Sequence, residues 1–316
     1  MSPGISRSEL LHTHVERFAR ALRGLEQGDV RALHRARVAT RRLREILPVL
    51  CINGVTTNKS VRRLKKTTSR LGVVRELDVL LQLIDELRDS RREHAPALGR
   101  VAIAVAKARD DARDRLFGRL PVRDLRRTAR KLDDIVEDLA GQPDTPEKAL
   151  RSAVEARVAR RAHRLAVAMR DAGAVYLPER LHAVRIAVKK LRYSAELASE
   201  ITESDLKPEV RALRAAQDVL GRMHDVQILI DRVRQVQATL APPSVNVWRA
   251  LDALQQSLDD DCRRLHARYM RARPKLELIA DRLIAIAPGS AAAAAARPRA
   301  KRGAATPHER WSKRAG

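Results

Sequence analysis

His34, Arg37, Arg41 and Arg44 lie 3, 4 and 3 residues apart. On a helix that turns about 100° per residue they form one column of cations. His182, Arg185, Lys189 and Arg192 repeat the same spacing, and no carboxylate interrupts either column. Arginine offers planar, bidentate contacts to phosphate, lysine a point charge, and histidine a donor that strengthens when an anion draws a proton onto it. Like charges at this spacing destabilise a helix by ~0.2–0.5 kcal/mol per pair. A solvated face, or ion pairs to a neighbouring helix, accounts for one such column; its repetition points to an anionic ligand. From His34 to Arg44 is ten residues, or ~15 Å at ~1.5 Å each. That is too long for a single phosphate and suits a run of them.

The segments that carry the columns are residues 33–47, LHRARVATRRLREIL, and 181–197, LHAVRIAVKKLRYSAEL. Six of the first twelve positions are identical, and Val38/Ile186, Arg41/Lys189 and Arg42/Lys190 are close exchanges. Each segment also has an apolar stripe for a core: Leu33, Ala36, Thr40, Leu43, Leu47 and Leu50 in one, Leu181, Val184, Val188, Leu191, Ala195 and Ala198 in the other. A second repeat follows, LGVVRELDVL from Leu71 and LGRMHDVQIL from Leu220. It aligns Arg75 with His224, Arg62 with Arg211 and Lys65 with Arg214, and extends the basic surface. Arg63, Lys66 and Arg70 align with the uncharged Ala212, Ala215 and Val219, so the halves contribute unequally. Some of these cations are expected to pair with Glu76, Asp78, Asp218 or Asp225 instead of a ligand.

Helical periodicity runs through nearly the whole chain, and strand-like alternation is absent. Proline and glycine divide it into eight predicted helices, near 8–26, 30–51, 58–89, 93–140, 147–172, 178–201, 206–238 and 244–286. GQPDTPE, residues 141–147, reads as the linker between two sets of four. Pro121 and Pro274 fall inside the fourth helix of each set, where each should kink or break it. Gly72 and Gly221 fall inside helices and suggest close backbone approach. The expected fold is all-α: two pseudo-symmetric four-helix bundles from an internal duplication, residues 1–142 and 143–286, with a basic groove between or across them.

The remainder, residues 287–316, carries seven Arg and Lys against Glu309 among Ala, Gly and Pro. It cannot bury a core and is expected to be disordered, either a solubilising tail or a polyanion-binding arm. The 316 residues hold 64 Lys and Arg against 39 Asp and Glu, a formal charge of +25 that attracts polyanions or anionic surfaces. Two Phe, three Tyr and two Trp are too few to stack the bases of a single strand. Cys51 and Cys262 have no pairing or metal-ligand spacing and read as reduced thiols. With no secretory signal and no run approaching ~18 apolar residues, a soluble, cytoplasmic protein is expected.

The two His-and-Arg helices, each followed by an LG…E/D helix, resemble the CHAD family, the conserved histidine α-helical domain, over most of residues 1–286. The resemblance implies paired four-helix bundles and non-catalytic binding of inorganic polyphosphate. It carries the ligand contacts to His34, Arg37, Arg41, Arg44, His182, Arg185, Lys189 and Arg192, followed by Arg62, Lys65, Arg75, Arg211, Arg214 and His224. Many relatives fuse this domain to a triphosphate-cleaving β-barrel, for which this sequence has no segment. The implied form is stand-alone, and any polyphosphate- or triphosphate-acting enzyme is a separate partner chain.

Three rival readings remain, of which a purely structural helical scaffold leaves the repeated columns without a role. DDARD, residues 110–114, with Asp259–Asp261 as a second site, suits an all-α magnesium-dependent diphosphate enzyme; Arg113 inside the first cluster and the scarcity of aromatics count against it. A nucleoid-associated DNA-binding protein would account for the charge and give the tail a nucleic-acid partner. Columns facing each other across a groove favour a thinner polymer, held with no cofactor or metal and attaching the protein to polyphosphate granules. Deleting residues 288–316 should leave the helical core folded, with the cooperative thermal transition followed by circular dichroism unchanged. Loss of that transition would make the tail part of the core.

Overall fold

The structure is a computed structural model that describes residues 6–26, 30–50, 55–119, 122–142, 147–202, 205–240 and 244–286. Among these residues every regular element is helical. The first group is α1 (Arg7–Glu26), α2 (Val30–Leu50), α3 (Val55–Ser90), α4 (Ala95–Arg119) and α5 (Val122–Ala140). The second is α6 (Glu147–Ala172), α7 (Pro178–Thr202), α8 (Lys207–Ala238) and α9 (Val245–Ala285). A 3-10 turn, Arg92–His94, joins α3 to α4. None of these helices is long and apolar enough to cross a membrane. The tail, the centre of the linker and Cys51 lie outside the described residues.

Local sequence sets several helix ends. Pro178 opens α7, where its missing N–H and fixed φ suit a first turn. Gly173, at φ 63°, ends α6 in the left-handed region that favours glycine. The Ser244 hydroxyl accepts from the Val247 N–H and caps α9. The helix expected over 93–140 is two helices: α4 ends at Arg119 and α5 starts at Val122. Between them Pro121 lies outside the described residues. Pro274 does not end its helix, and α9 runs on through it. The first group therefore holds five helices where four were expected.

Packing follows the apolar stripes. Leu33, Ala36, Thr40, Leu43, Leu47 and Leu50 of α2 are all buried, as are Leu181, Val184, Val188, Leu191, Ala195 and Ala198 of α7. α2 packs on α1 and α3, α5 returns onto α1, and α4 lies along α3. In the second group α6 packs on α7 and α9, and α8 on α7 and α9. The groups meet where α2 touches α6 and α7, α3 touches α8, and α4 touches α8 and α9. Burying these stripes fixes which way the remaining faces of α2 and α7 point. Beneath the basic column, the Thr68 hydroxyl on α3 donates to Leu64 O and to Thr40 Oγ1 at 3.1 Å, tying α3 to α2.

Ion pairs stitch the two groups together. Arg42 reaches Glu200 at 2.7 Å, Arg157 reaches Glu45 at 2.6 Å, Arg222 reaches Glu86 at 2.6 Å and Arg91 reaches Asp261 at 2.6 Å. Leu43→Ala and Leu191→Ala each remove a fully buried side chain at the heart of a packing stripe. Each should cost about 2–5 kcal/mol, read as a shift in urea midpoint at constant slope. A loss below ~1 kcal/mol would mean that these stripes are not the core.

Candidate functional site

The buried stripes turn the other faces of α2 and α7, with those of α3 and α8, into a single groove of about 590 Å³. α2 supplies His34, Arg37 and Arg41; α3 supplies Arg75 and Glu76; α7 supplies His182, Arg185, Lys189 and Tyr193. α8 supplies Gln217, Asp218, Arg222, His224 and Asp225. Eight of the fourteen expected contacts thus line one space: His34, Arg37, Arg41, Arg75, His182, Arg185, Lys189 and His224. Its carboxylates are Glu76, Asp218 and Asp225, against six lysine and arginine side chains.

The other six expected residues do not line the groove. Arg192 donates to Glu196 at 2.6 Å and to Gln217 at 3.0 Å. Arg214 reaches the same Glu196 at 3.4 Å. A glutamate one turn after Arg192 pulls that end of the α7 column into an ion-pair cluster. Arg62, Lys65 and Arg211 are exposed on the flanks of α3 and α8, and Arg62 donates to its own helix at Asn58 O. Arg44 is half-buried and does not line the groove, and its Nε has no hydrogen-bond partner. Arg222 and Tyr193 line the groove without having been expected to. The position of Arg222, one residue after Gly221 on the repeated LG helix, was the available signal.

The glycines do not serve close backbone packing. A Cβ on Gly221 would meet nothing within 4 Å, and one on Gly72 would make only ordinary contacts at 3.8 Å with the Arg37 guanidinium and with Glu76. Gly72 O instead accepts a hydrogen bond from Arg37 Nη1 at 3.1 Å, which fixes the guanidinium against α3. Arg37 also approaches Glu76 at 3.6 Å. Gly221 leaves the floor of the groove open.

Burial leads the electrostatics, with like-charged neighbours next. Lys189 is pulled from the usual lysine range to about 7, first by desolvation and then by Arg41, Arg185 and Arg37. Arg37 and Arg185 are shifted down as well, desolvation leading in each case. Burial pushes the Asp225 carboxyl up, against the pull of Arg185. His182 and His224 face each other across α7 and α8, with Nδ1 atoms 3.3 Å apart and ring centroids 4.5 Å apart. A hydrogen bond between them needs one ring to donate and the other to accept, so at least the accepting ring is neutral. Burial, with Arg185 next, takes His224 down to about 3, and burial lowers His182 too. In the first group His34 takes the matching place, lowered by burial and then by Arg75. The result is a concave surface whose lysines and arginines outnumber its carboxylates.

The acid clusters are placed elsewhere. Asp110 pairs with Arg109 at 2.8 Å, Asp260 with Arg263 at 2.7 Å, and Asp261 with Arg91 and Arg264, each at 2.6 Å. Among the described residues no group of three or more His, Cys, Asp or Glu could hold a metal ion.

A family model described as "CHAD domain" matches residues 9–234. Among solved structures, PptA from Streptomyces chartreusis aligns with a TM-score of 0.60 at 20% identity, covering 85% of this chain and 98% of that one. The CHAD domain from the plant Ricinus communis aligns with a TM-score of 0.57 at 20% identity, covering 90% of this chain and 94% of that one. At this identity the two structures show the fold. A comparison with curated proteins found no match.

The Lys189 shift gives the groove a pH signature. Below about 7 the side chain is an ammonium with or without a bound anion; above it, an entering anion must draw a proton onto a neutral amine. Tripolyphosphate affinity should therefore fall as pH rises from about 7 to about 9, by at most about tenfold per unit for one proton. Lys189→Arg keeps its charge throughout and should flatten that slope in calorimetric titrations. The ligand's own ionisation is common to both proteins and cancels. Identical slopes would show that Lys189 does not meet the anion.

Proposed function

The chain belongs to the CHAD domain family, and from this membership and the charge of the groove we propose that it binds inorganic polyphosphate without catalysis. The observation that carries the reading is the juxtaposition of Arg37 and Arg41 with Arg185 and Lys189 in one concave space whose lysines and arginines outnumber its carboxylates. A phosphate polymer meets that need with a negative charge on every unit. It presents no base to stack and no groove to read, which fits a site with Tyr193 as its one aromatic ring besides the histidines.

The finer organisation supports the same reading. We take the chain as a duplicated unit, residues 1–142 and 143–286, in which α2 corresponds to α7 and α3 to α8. Equivalent helices then bring equivalent cations to the two walls of one groove. Tripolyphosphate lies against Arg37, Arg41, Arg185 and Lys189, and a longer polymer extends beyond them. Duplex DNA is the competing ligand, favoured by the overall charge and by the basic tail. Reading a duplex requires an element that enters its grooves or a basic stripe on a convex face; here the cations face inward. Binding of this kind attaches the protein to polyphosphate granules or presents the polymer to a separate enzyme that acts on it.

Competition between polyphosphate and duplex DNA at matched salt tests the assignment. Polyphosphate should win, with an affinity that falls steeply with salt because several phosphates release counterions together. Arg41→Glu and Lys189→Glu should each weaken polyphosphate binding at least tenfold, taking ~1.5–3 kcal/mol per charge-assisted hydrogen bond. Preference for DNA, or affinity untouched by both reversals, would sink the ligand assignment.

A further inference from the structure

One face of α6 carries a second concentration of charge. Arg157, Arg160, Arg161 and Arg164 are spaced 3, 1 and 3, which places them on a single stripe. Lys190 of α7 stands in the field of Arg161 and Arg164, with Arg44 of α2 contributing and Glu45 opposing. Glu45 is the carboxylate that faces this cluster, and it is already committed. Arg157 donates to its Oε2 at 2.6 Å, and Arg161 lies 3.5 Å from the same oxygen. Among the described residues Arg44, Arg160, Arg164 and Lys190 form no salt bridge. Burial and like-charged neighbours pull down the ionisation of Arg160 and Lys190 together. Repulsion left in place on a folded surface calls for an anion from outside.

The position of the cluster suggests which anion. Arg44 follows Arg41 by one helical step on the α2 column, and Lys190 follows Lys189 on α7; Arg41 and Lys189 line the groove. A polymer lying against those two side chains meets Arg44 and Lys190 next. The stripe from Arg157 to Arg164 then adds seven residues, or ~10 Å of track. The corresponding position in the first half is closed. Arg42, the counterpart of Lys190 at an offset of 148, is taken up by Glu200 at 2.7 Å and Glu196 at 3.8 Å.

We propose that the α6 stripe, with Arg44 and Lys190, is a second contact surface for polyphosphate, on which a long chain leaving the groove continues past Arg41 and Lys189. This rests on the reading of the groove given above. The groove holds the first few phosphates, and the stripe holds later units of the same molecule. The surface therefore discriminates by polymer length: short polyphosphates never reach it.

The test uses the full chain carrying Arg160→Ala, Arg164→Ala and Lys190→Ala together. Arg157 and Arg161 are kept because they hold Glu45. Long-chain polyphosphate should bind about tenfold more weakly. The slope of log affinity against log salt should become shallower by about 2, at ~0.7 per lost contact on a single strand. Tripolyphosphate should bind as in the wild type. Unchanged long-chain affinity and slope would overturn the proposal. So would an equal loss for tripolyphosphate at unchanged thermal stability, which would place the effect in the groove, or a loss confined to duplex DNA. Arg160→Ala with Arg164→Ala touches only exposed side chains and should move long-chain binding the same way by a smaller factor, independent of any packing change at Lys190. Failure of the groove reading itself is visible separately, as wild-type protein that does not hold tripolyphosphate.

Discussion

Repulsion among cations that water cannot fully screen is the constraint around which this protein is built. Arg37, Arg41, Arg185 and Lys189 lie in one another's field, and burial is the largest influence on Lys189. Coulomb energy scales inversely with the effective dielectric, so each step away from water makes the four harder to hold together. The apolar stripes of α2 and α7 are fully committed to the core, which leaves the cations no other face to occupy. At the flanks, Arg42–Glu200, Arg157–Glu45 and Arg222–Glu86 bind one helix group to the other. Individually such pairs are modest. Together they fix how α2 lies against α7, and they keep most of the carboxylates out of the groove.

A site of this kind gains from a polymer more than from separate anions. On the proposed reading, the first phosphate held by Arg41 and Lys189 brings its covalent neighbours close to Arg37 and Arg185. Each further contact is then intramolecular and loses little additional freedom. Lys189 at about 7 adds a chemical response: a bound anion would restore the charge that burial, and then its cationic neighbours, disfavour. The His182–His224 pair is placed to do the same at lower pH, since an anion beside the rings favours their protonated form.

Much of this was legible in the sequence because it is periodic. The alternation of apolar and basic residues along 33–47 and 181–197 fixes both the buried stripe and the direction of the column, and the repeat of both marks the pair of helices that face each other. Tertiary partners were not legible. Arg192 has the spacing of a groove residue, yet Glu196 and Gln217 draw it away. Arg44 has the same spacing but does not line the groove; it is half-buried, with Glu45 and Arg41 in its field. Pro121 and Pro274 look alike in sequence; the first lies outside the described residues, whereas α9 runs on through Pro274, and its packing on α6 and α8 outweighs one missing hydrogen bond. The glycines were misread in one respect: an interior helical glycine signals missing volume, and the volume here is open groove at Gly221 and an arginine head at Gly72.

The departures from symmetry carry meaning of their own. At an offset of 148, Arg44 corresponds to Arg192 and Glu196 to Pro48. Glu196 gathers Arg192, Arg214 and Arg42 around itself, whereas proline at the equivalent place in α2 can gather nothing. One end of the basic track is therefore closed by an acid, and the other continues into Arg44, Lys190 and the face of α6. A perfectly duplicated site would present the same potential in both directions and would let a polymer slide either way. On the proposed reading, a chain leaving the groove meets Arg44 and Lys190 on one side and, on the other, arginines already paired with Glu196.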